Sequence, residues 1–385
     1  MWSKKICVLA GVCVLFLFAC GPKAVKPQSA LDTPLHHVTN GHTLLKSGKI
    51  DSAFREFNRA KELDPKYVPA YIGLGLAYGY SEDYKNGLEN MKSAKKFAET
   101  QEEKTDVNVG YIQLYQMGRE KIDEDWLGLA EDAFKKATIA MNDRGDAYYY
   151  MGLAYKMAYQ FPKASEQFIK VLELDKGYVS EADKEYAILQ KIERAMPGSE
   201  TGKQIALVEK LTRADAAALL VQELKIEELF KKRTQMQFDT AFKTPDDNTF
   251  VTSETVKVPP ATDVDNHVLK TDIDIMIQLG VKGLQPFPDH TFKPDEPLNR
   301  AEYAMIVEDI LIKISGVDQL ATRFIGSPSP FPDLRDDLPY FNAVMLCTTR
   351  GLMEAKDLMT GAFDPIGPIS GADALLAVRM LKSQL

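Results

Sequence analysis

The sequence is poor in the residues and motifs that most often build catalytic and metal sites. Its 385 residues include four cysteines and five histidines. It has no Cys-x-x-Cys, His-Glu-x-x-His, Gly-x-Ser-x-Gly or glycine-rich phosphate loop, and its histidines form no recognisable metal-binding pattern. We therefore predict a protein that is not an enzyme and that needs neither a cofactor nor a metal ion.

Basic residues are in the minority, which limits the partners that the chain can attract. Lys and Arg number 47 against 55 Asp and Glu, and no run of basic residues carries interleaved aromatic residues. Such a balance gives no electrostatic footprint for nucleic acid or for an anionic lipid surface. We predict that the protein does not bind nucleic acid.

The one long apolar run lies at the N-terminus. Residues 6–19 are all apolar or small and follow Lys4 and Lys5. Fourteen residues are too few to span comfortably a hydrocarbon core that needs about 20, so a signal peptide fits better than a permanent membrane helix. The run ends in Leu17, Phe18, Ala19, Cys20 and Gly21. This ending resembles the lipobox of bacterial lipoproteins, which implies a signal peptide over 1–19 and lipidation of Cys20.

The lipobox resemblance also implies a location. Several acyl chains, as mature bacterial lipoproteins carry, hold a protein stably on a membrane, whereas one chain holds it only marginally. Gly21 in place of Asp implies the outer membrane, and we expect the periplasmic face. Loss of the leader removes Cys7 and Cys13. Cys347 remains, and its apolar surroundings predict a buried structural thiol.

Residues 20–33, rich in Pro, Lys, Ser and Ala, are predicted to form a short tether, and a period of 34 residues follows them. In each period a glycine recurs in the first helix, and a small and a large residue recur in the second. The glycines are Gly41, Gly75, Gly118 and Gly152; the small residues are Ala53, Gly87, Ala130 and Ala164; the large ones are Phe57, Met91, Phe134 and Phe168. Small residues let two helices approach closely, and large ones fill the space against the next repeat.

This pattern resembles the tetratricopeptide (TPR) repeat. The repeats are predicted at 34–67, 68–101, 111–144 and 145–178, with nine inserted residues between the second and third and a capping helix that extends the domain to residue 198. The resemblance implies a concave groove lined by Ile72, Leu76, Tyr80, Tyr115, Arg119, Tyr149, Leu153, Lys156 and Met157. Tyrosine and arginine on a concave surface suit an extended peptide or an amphipathic helix. The alternative is that one or two rings of the run Tyr148–Tyr150 lie in the core.

The second half of the chain repeats a different unit. One copy contains Asp263, Phe292-Lys293-Pro294 and Leu298–Glu302; another contains Asp333, Phe363-Asp364-Pro365 and Ile369–Asp373; a third match, Leu211–Asp215, lacks the Phe-x-Pro step. These segments resemble S-layer homology (SLH) motifs, which usually come in threes and pack as one mostly helical, pseudo-threefold unit. We predict a first, partial motif at 199–230, a polar insertion at 231–260, a second motif at 261–316 and a third at 317–385.

Each of the three motifs contains the sequence pattern of a helix start. A capping residue precedes an acid by three positions, in the pairs Thr212 and Asp215, Asn299 and Glu302, and Ser370 and Asp373, which is the spacing of a capping box. Arg213 and Arg300 lie in the first helical turn, where the helix dipole disfavours a cation. In the SLH family the matching arginine contacts anionic glycan, so the resemblance implies glycan binding by Arg213 and Arg300. The alternative is an ion pair with a carboxylate such as Asp215 or Asp263.

Taken together, the sequence predicts a mainly α protein in which a TPR-type helical solenoid precedes a mostly helical SLH unit of pseudo-threefold symmetry. The predicted function is that of a lipid-anchored envelope scaffold. It would dock a protein through the repeats and engage peptidoglycan or a related cell-wall polymer through the SLH motifs. A second function stays open, that of an accessory factor for assembly or export whose C-terminal unit binds protein rather than glycan.

Overall fold

In this computed structural model, residues 24–234 and 259–385 are described. The predicted signal peptide, Cys20 and most of the polar insertion lie outside them. Within the described ranges the regular secondary structure is helical, which confirms the mainly α prediction, and no helix there is long and apolar enough to cross a membrane. The chain divides into two compact units, Met1–Tyr186 and Ala187–Leu385.

The helices of the first unit pack in sequential pairs. They are α1 (Pro34–Lys46), α2 (Ile50–Leu63), α3 (Val68–Tyr80), α4 (Tyr84–Phe97), α5 (Gln101–Gly118), α6 (Trp126–Ala140), α7 (Gly145–Met157) and α8 (Phe161–Leu174). Each odd-numbered helix packs against the next one, and the first helices of neighbouring pairs also touch. This is a solenoid-like stack of four hairpins. The helix α9 (Val179–Ala195) follows, and the division between the units falls within it.

Repeating glycines and aromatic residues make direct contacts in this stack. Phe57 is fully buried, and its ring lies against the backbone of two glycines. A Cβ atom added to Gly41 would come within 2.5 Å of the ring, and one added to Gly73 within 2.3 Å. Phe168 is also fully buried and lies 2.7 Å from the Cβ position of Gly152. Any side chain at these glycines would collide with the ring, so the small-and-large pattern in the sequence reflects close packing.

The third hairpin is longer than the others. Its first helix has 18 residues where α3 has 13, and the connection to α6 runs over residues 119–125. A capping box fixes the start of α5, because Thr100 accepts a hydrogen bond from the Glu103 N–H while the Glu103 carboxylate accepts one from the Thr100 N–H. The nine extra residues therefore lie within the third hairpin, and not between the second and third repeats as the sequence suggested.

The glycine contacts assign a different register to α5. The Cβ position of Gly110 lies 3.0 Å from Met91 of the preceding hairpin, just as Gly73 meets Phe57. Gly118, on which the predicted repeat 111–144 depended, faces Ile122 instead. The equivalent positions in α5 therefore come six residues earlier than the sequence period predicted.

In residues 187–234 and 259–385, the described parts of the second unit, the end of α9 is followed by seven further helices. These are α10 (Glu200–Ala206), α11 (Arg213–Gln222), α12 (Ile226–Thr234), α13 (Lys270–Leu279), α14 (Arg300–Ser315), α15 (Phe341–Thr349) and α16 (Gly371–Ser383). The helices α11, α14 and α16 begin directly after the predicted capping residues. In each, the cap side chain accepts a hydrogen bond from the backbone N–H of the acid three positions later.

Three backbone segments close a ring at the starts of these helices. The Leu211 N–H donates to the carbonyl oxygen of Ile369 at 2.9 Å, the Ile369 N–H donates to Leu298 at 3.1 Å, and the Leu298 N–H donates to Leu211 at 2.8 Å. Each residue directly precedes the cap of its helix. Since equivalent positions are joined head to tail, the three motifs are related by a pseudo-threefold arrangement.

The described part of the predicted tether is bonded to the first hairpin. The Val25 N–H donates to the Glu62 carbonyl at 2.8 Å. Asp32 is buried, and its carboxylate accepts two hydrogen bonds from the guanidinium of Arg59. Residues 25–33 therefore belong to the folded first unit.

Candidate functional site

Arg213 is buried and donates three hydrogen bonds to backbone carbonyls. Its side chain donates from Nε to the Phe292 carbonyl at 2.7 Å, from Nη1 to Gly283 at 2.7 Å and from Nη2 to Gln285 at 3.0 Å. The guanidinium carbon also lies 4.7 Å from the ring centroids of both Phe287 and Phe292. Burial lowers the pKa of Arg213, but an arginine stays charged in any protein environment. Hydrogen bonds and ring contacts thus compensate a buried cation.

Arg300 repeats this arrangement in the next motif. It is 3% exposed and donates from Nε to the Phe363 carbonyl at 2.7 Å and from Nη2 to the Glu354 carbonyl at 2.5 Å. Its guanidinium carbon lies 4.5 Å from the Phe363 ring centroid. Both arginines therefore hold the Phe-x-Pro step of the following motif.

These contacts give Arg213 and Arg300 a structural role that their unfavourable position at a helix start did not predict. The carboxylates suggested as their partners act elsewhere: Asp215 accepts from Thr212, and Asp263 accepts from the N–H groups of Phe292 and Lys293 at 2.7 Å each. The alternative that paired the arginines with Asp215 or Asp263 was therefore wrong. Glycan binding by Arg213 and Arg300 stays a prediction.

The spacing between the Asp and the Phe-x-Pro step, which recurs in two motifs of this chain, has the same backbone explanation in both copies. Asp333 accepts from the N–H groups of Phe363 and Asp364 at 2.9 and 2.6 Å, as Asp263 does one motif earlier. A carboxylate that caps two successive N–H groups fixes the turn in which the phenylalanine is buried.

The third motif has no arginine at the position of Arg213 and Arg300, and the first motif has no Phe-x-Pro step for such an arginine to hold. One packing arrangement explains both absences. Gly371 occupies the position of Arg213 and Arg300, and its N–H donates to the Val208 carbonyl at 2.8 Å. A Cβ atom on Gly371 would lie 1.7 Å from the Ile205 carbonyl oxygen. The first motif thus places backbone where the other two place an arginine side chain, and glycine is required there.

A small cavity lies beside Arg300 in the second unit. Its volume is about 90 Å³, and its charged lining residues are Lys191, Arg194, Arg300, Lys356, Glu354 and Asp373. Lys191 pairs with Asp373 at 2.7 Å. Burial alone would raise the pKa of Asp373, but the hydrogen bonds from Lys191 and Ser370 and the positive charges of Lys191 and Lys356 together lower the pKa, so this carboxylate stays ionised.

Two of these cations are accessible and held only loosely. The side chains of Arg194 and Lys356 are 57% and 47% exposed, and their carboxylate partners lie 3.5 and 4.0 Å away. The cavity is far smaller than the ~300–1,000 Å³ of a typical site for a drug-sized ligand. It can take one small anionic group of a larger molecule, with four cations against two carboxylates around it.

The first unit carries an open groove of about 320 Å³. The groove is lined by His42, Leu45, Lys46, Pro69, Ile72, Leu76, Tyr80, Asp106, Val109, Gln113, Asp146, Tyr150 and Tyr178. Three of the predicted groove residues, Ile72, Leu76 and Tyr80, are among them. They supply an apolar floor and an exposed tyrosine at one edge.

The other predicted residues do not line this groove. They are Tyr115, Arg119, Tyr149, Leu153, Lys156 and Met157. Tyr115 stacks on Tyr111 with ring centroids 5.7 Å apart, and Arg119 follows the last residue of α5 with a φ of 46°. Both were chosen from the repeat register that α5 does not follow.

In the fourth hairpin a neighbouring tyrosine lines the groove instead. Tyr149 stacks on Tyr178 at 4.7 Å and lies 5.9 Å from the buried ring of Phe168. Tyr150 lines the groove, and its hydroxyl lies 3.0 Å from that of Tyr178. Lys156 forms an ion pair with Glu185 at 2.5 Å. The alternative that placed one or two rings of this run against the core describes Tyr149, which lies against Phe168, and Tyr150, which also packs against the buried residues Val109, Ala137 and Ala147.

Sequence reasoning missed the groove residues of α5, which are Asp106, Val109 and Gln113. The signal that could have found them is the capping box Thr100-x-x-Glu103, which begins the helix at residue 101. Asp106 and Asp146 both bond the Arg144 guanidinium, at 2.7 and 2.6 Å. Burial raises the pKa of Asp106 in spite of that contact.

Comparison with known proteins adds one finding to this geometry. Residues 262–304 match the family model of the S-layer homology domain. The match begins beside Asp263, contains the Phe-x-Pro step at Phe292 and includes Arg300, so it covers most of one motif of the pseudo-threefold unit. It indicates association with the cell envelope. No curated protein matches the chain, and no cluster of metal-binding side chains occurs in residues 24–234 or 259–385.

Proposed function

We propose that the chain is a non-enzymatic, membrane-anchored scaffold of the bacterial cell envelope. Its second unit engages peptidoglycan or a related wall polymer, and its first unit docks a protein partner. The observation that carries this proposal is the S-layer homology match at residues 262–304. That match lies within a unit whose three motifs close a backbone ring.

The cavity beside Arg300 supports an anionic wall polymer as the ligand. Its lining has four cations against two carboxylates, although the chain as a whole has a net charge of −8. Arg194 and Lys356 are exposed enough to donate charge-assisted hydrogen bonds to a carboxylate or phosphate. Arg300 contributes its positive charge to the lining of this cavity. Its Nε and Nη2 remain bonded to backbone carbonyls.

The groove of the first unit supports docking of an amphipathic helix or an extended peptide. Ile72, Leu76 and Val109 offer an apolar floor, and Tyr80 is 51% exposed at its edge. Tyrosine at such an edge is typical of protein-binding surfaces. A photo-crosslinking residue at Tyr80 should capture a partner peptide that the same residue at Ile169, outside the groove, does not capture. Equal capture at both positions would argue against the groove.

Acylation at Cys20, on the outer membrane and facing the periplasm, completes the proposal. Its support is the lipobox-like run that ends at Cys20. An alkyne fatty acid fed to cells should label the wild-type chain and not the Cys20→Ser variant. Label retained on that variant would exclude this anchor.

The test of wall binding is co-sedimentation of the full chain with purified sacculi. We expect the wild type to sediment with sacculi and to remain in solution without them. If the folded protein stays in solution both with and without sacculi, the proposed binding to a wall polymer is wrong. The second unit would then be assigned to protein binding, as in an accessory factor for assembly or export.

A further inference from the structure

The first unit has a second cavity, on a different face from the peptide groove. It has a volume of about 490 Å³ and lies where the end of α4, the start of α5 and the end of α6 meet. All its charged lining residues are lysines, namely Lys95, Lys104 and Lys136, and its apolar lining includes Ala98, Val107 and Ile139.

Helix geometry separates this cavity from the groove. Lys104 and Asn108 are four residues apart and share one face of α5, whereas the groove residues Asp106, Val109 and Gln113 share the opposite face. A ligand in one site therefore does not touch the residues of the other. The inference does not rest on the proposed peptide docking.

Two of the three lysines are not accounted for by local ion pairing. In the part of the chain that the structure describes, Lys136 pairs with the exposed Asp132, and Lys95 and Lys104 form no salt bridge. Lys95 lies in the last turn of α4, where a cation is favoured by the helix dipole. Lys104 lies at the start of α5, where the dipole disfavours it.

An exposed aliphatic side chain lies among these cations. Ile139 is 76% exposed, and it lines the cavity together with the buried Val107. A ligand that covers Ile139 would remove apolar surface from water while its charged end meets the lysines.

We propose that this cavity binds an anionic amphiphile, a molecule with one carboxylate or phosphate group and an aliphatic chain. The lysines hold the anionic group, and the chain lies over Val107 and Ile139. The cavity volume is within the ~300–1,000 Å³ of small-molecule sites. This local site is compatible with a net negative chain, because Debye screening limits the reach of distant carboxylates to about 8–10 Å.

Two sources supply this chemistry, a free fatty acid and an anionic membrane lipid, and photo-labelling of the full chain in vesicles distinguishes them. One arm uses a diazirine-bearing C16 fatty acid. The other uses diazirine-bearing phosphatidylglycerol, with the phosphatidylcholine analogue as its neutral control. We expect saturable label on peptides that contain Val107 or Ile139, from at least one anionic probe and not from the neutral one. The labelled arm identifies the source.

The variants make the test specific. Lys95→Gln with Lys104→Gln removes two charge-assisted contacts, so the concentration for half-maximal labelling should rise about tenfold or more. Lys66→Gln, at an exposed lysine outside the cavity, should label like the wild type. Ile139→Ala tests the apolar contact without disturbing a buried residue and should weaken labelling as well. Labelling unchanged by the lysine pair, equal labelling by the neutral probe, or no cavity label from either anionic probe would overturn the proposal.

Discussion

At the scale of single residues, Arg213 and Arg300 tie together segments that lie 54 to 79 positions apart in the sequence. Their positions could be found in the sequence, because each follows a helix cap and has no local reason to be there. Their partners could not be found, because backbone carbonyl acceptors leave no trace in the pattern of side chains. The same limit concealed the need for Gly371, whose constraint is a carbonyl oxygen.

The first prediction concerns the stability of the second unit. Arg213→Ala should lower its free energy of unfolding by about 3–5 kcal/mol, because the three carbonyls that Arg213 bonds lose their donor inside the fold. Relief of the unfavourable dipole interaction is smaller, about 0.3–1 kcal/mol, and has the opposite sign. Arg335→Ala, at an exposed arginine paired with Asp337, should cost less than about 1 kcal/mol. Urea unfolding measures both, and an Arg213→Ala variant as stable as the wild type would contradict this account.

His37 is held between two carboxylates in the first unit. Its Nδ1 lies 2.6 Å from Glu56 and its Nε2 lies 2.9 Å from Asp32. Burial alone would lower the pKa of His37, but the hydrogen bonds to Glu56 and Asp32 outweigh it and raise the pKa. Arg59 holds the pKa of Asp32 well below its usual range, so Asp32 stays ionised. Two acceptors at the two ring nitrogens favour the doubly protonated ring.

The second prediction is the pH dependence that follows. The pKa of His37 is higher in the folded state than its unfolded value of about 6.5, so the protonated ring contributes its full stabilisation at pH values below the unfolded pKa. That stabilisation is lost as the pH rises through the folded-state pKa. The melting temperature of the wild type should therefore exceed that of His37→Gln at pH 5.5, and the difference should shrink by pH 8.5. Thr39→Gln, at an exposed residue of the same helix that does not titrate, should keep the pH trend of the wild type. A difference that grows with pH would contradict the sign.

At the scale of elements, the repeating small and large residues predicted the hairpins because three of the four pairs make a direct contact, namely Gly41 with Phe57, Gly75 with Met91 and Gly152 with Phe168. The register of the third hairpin was not predictable from the period alone. The period placed Gly118 at the position of Gly75, whereas the contact of Gly110 with Met91 makes Gly110 the equivalent of Gly73 and fixes the observed register. The groove residues of α5 were predicted from the same register, so Tyr115 and Arg119 were chosen and Val109 was missed.

The third prediction tests the packing of the fourth hairpin. Phe168→Ala should destabilise the first unit by about 3–5 kcal/mol, because it leaves a cavity against Gly152 and Tyr149. Ile169→Ala is the matched control on the same helix, and its 37% exposure predicts a smaller loss. Hydrogen exchange should accelerate in α7 and α8 and remain unchanged in α14 of the other unit. Equal acceleration in both units would contradict their separate cores.

At the scale of the whole molecule, composition did not predict the local charge of the two cavities. A net charge of −8 argued against binding to nucleic acid or to an anionic lipid surface, yet the cavity beside Arg300 and the cavity at Lys104 both carry an excess of cations. Net charge averages over a surface, whereas binding depends on the few groups within a Debye length. The motif pattern gave the segments of the pseudo-threefold unit, and folding brought Lys191 and Arg194 of α9 beside its third motif.

The central claim is that the second unit binds an anionic wall polymer through the cations beside Arg300. Its most direct test is the salt dependence of co-sedimentation with sacculi for Arg194→Ala with Lys356→Ala, compared with the wild type and with Lys210→Ala at an exposed lysine outside the cavity. Both substituted side chains are largely exposed, so the melting temperature should not change. We expect the double variant to bind at least about tenfold more weakly at low salt, and the difference to shrink as salt screens the wild-type contacts. Sacculus binding equal to that of the wild type at every salt concentration would contradict the claim.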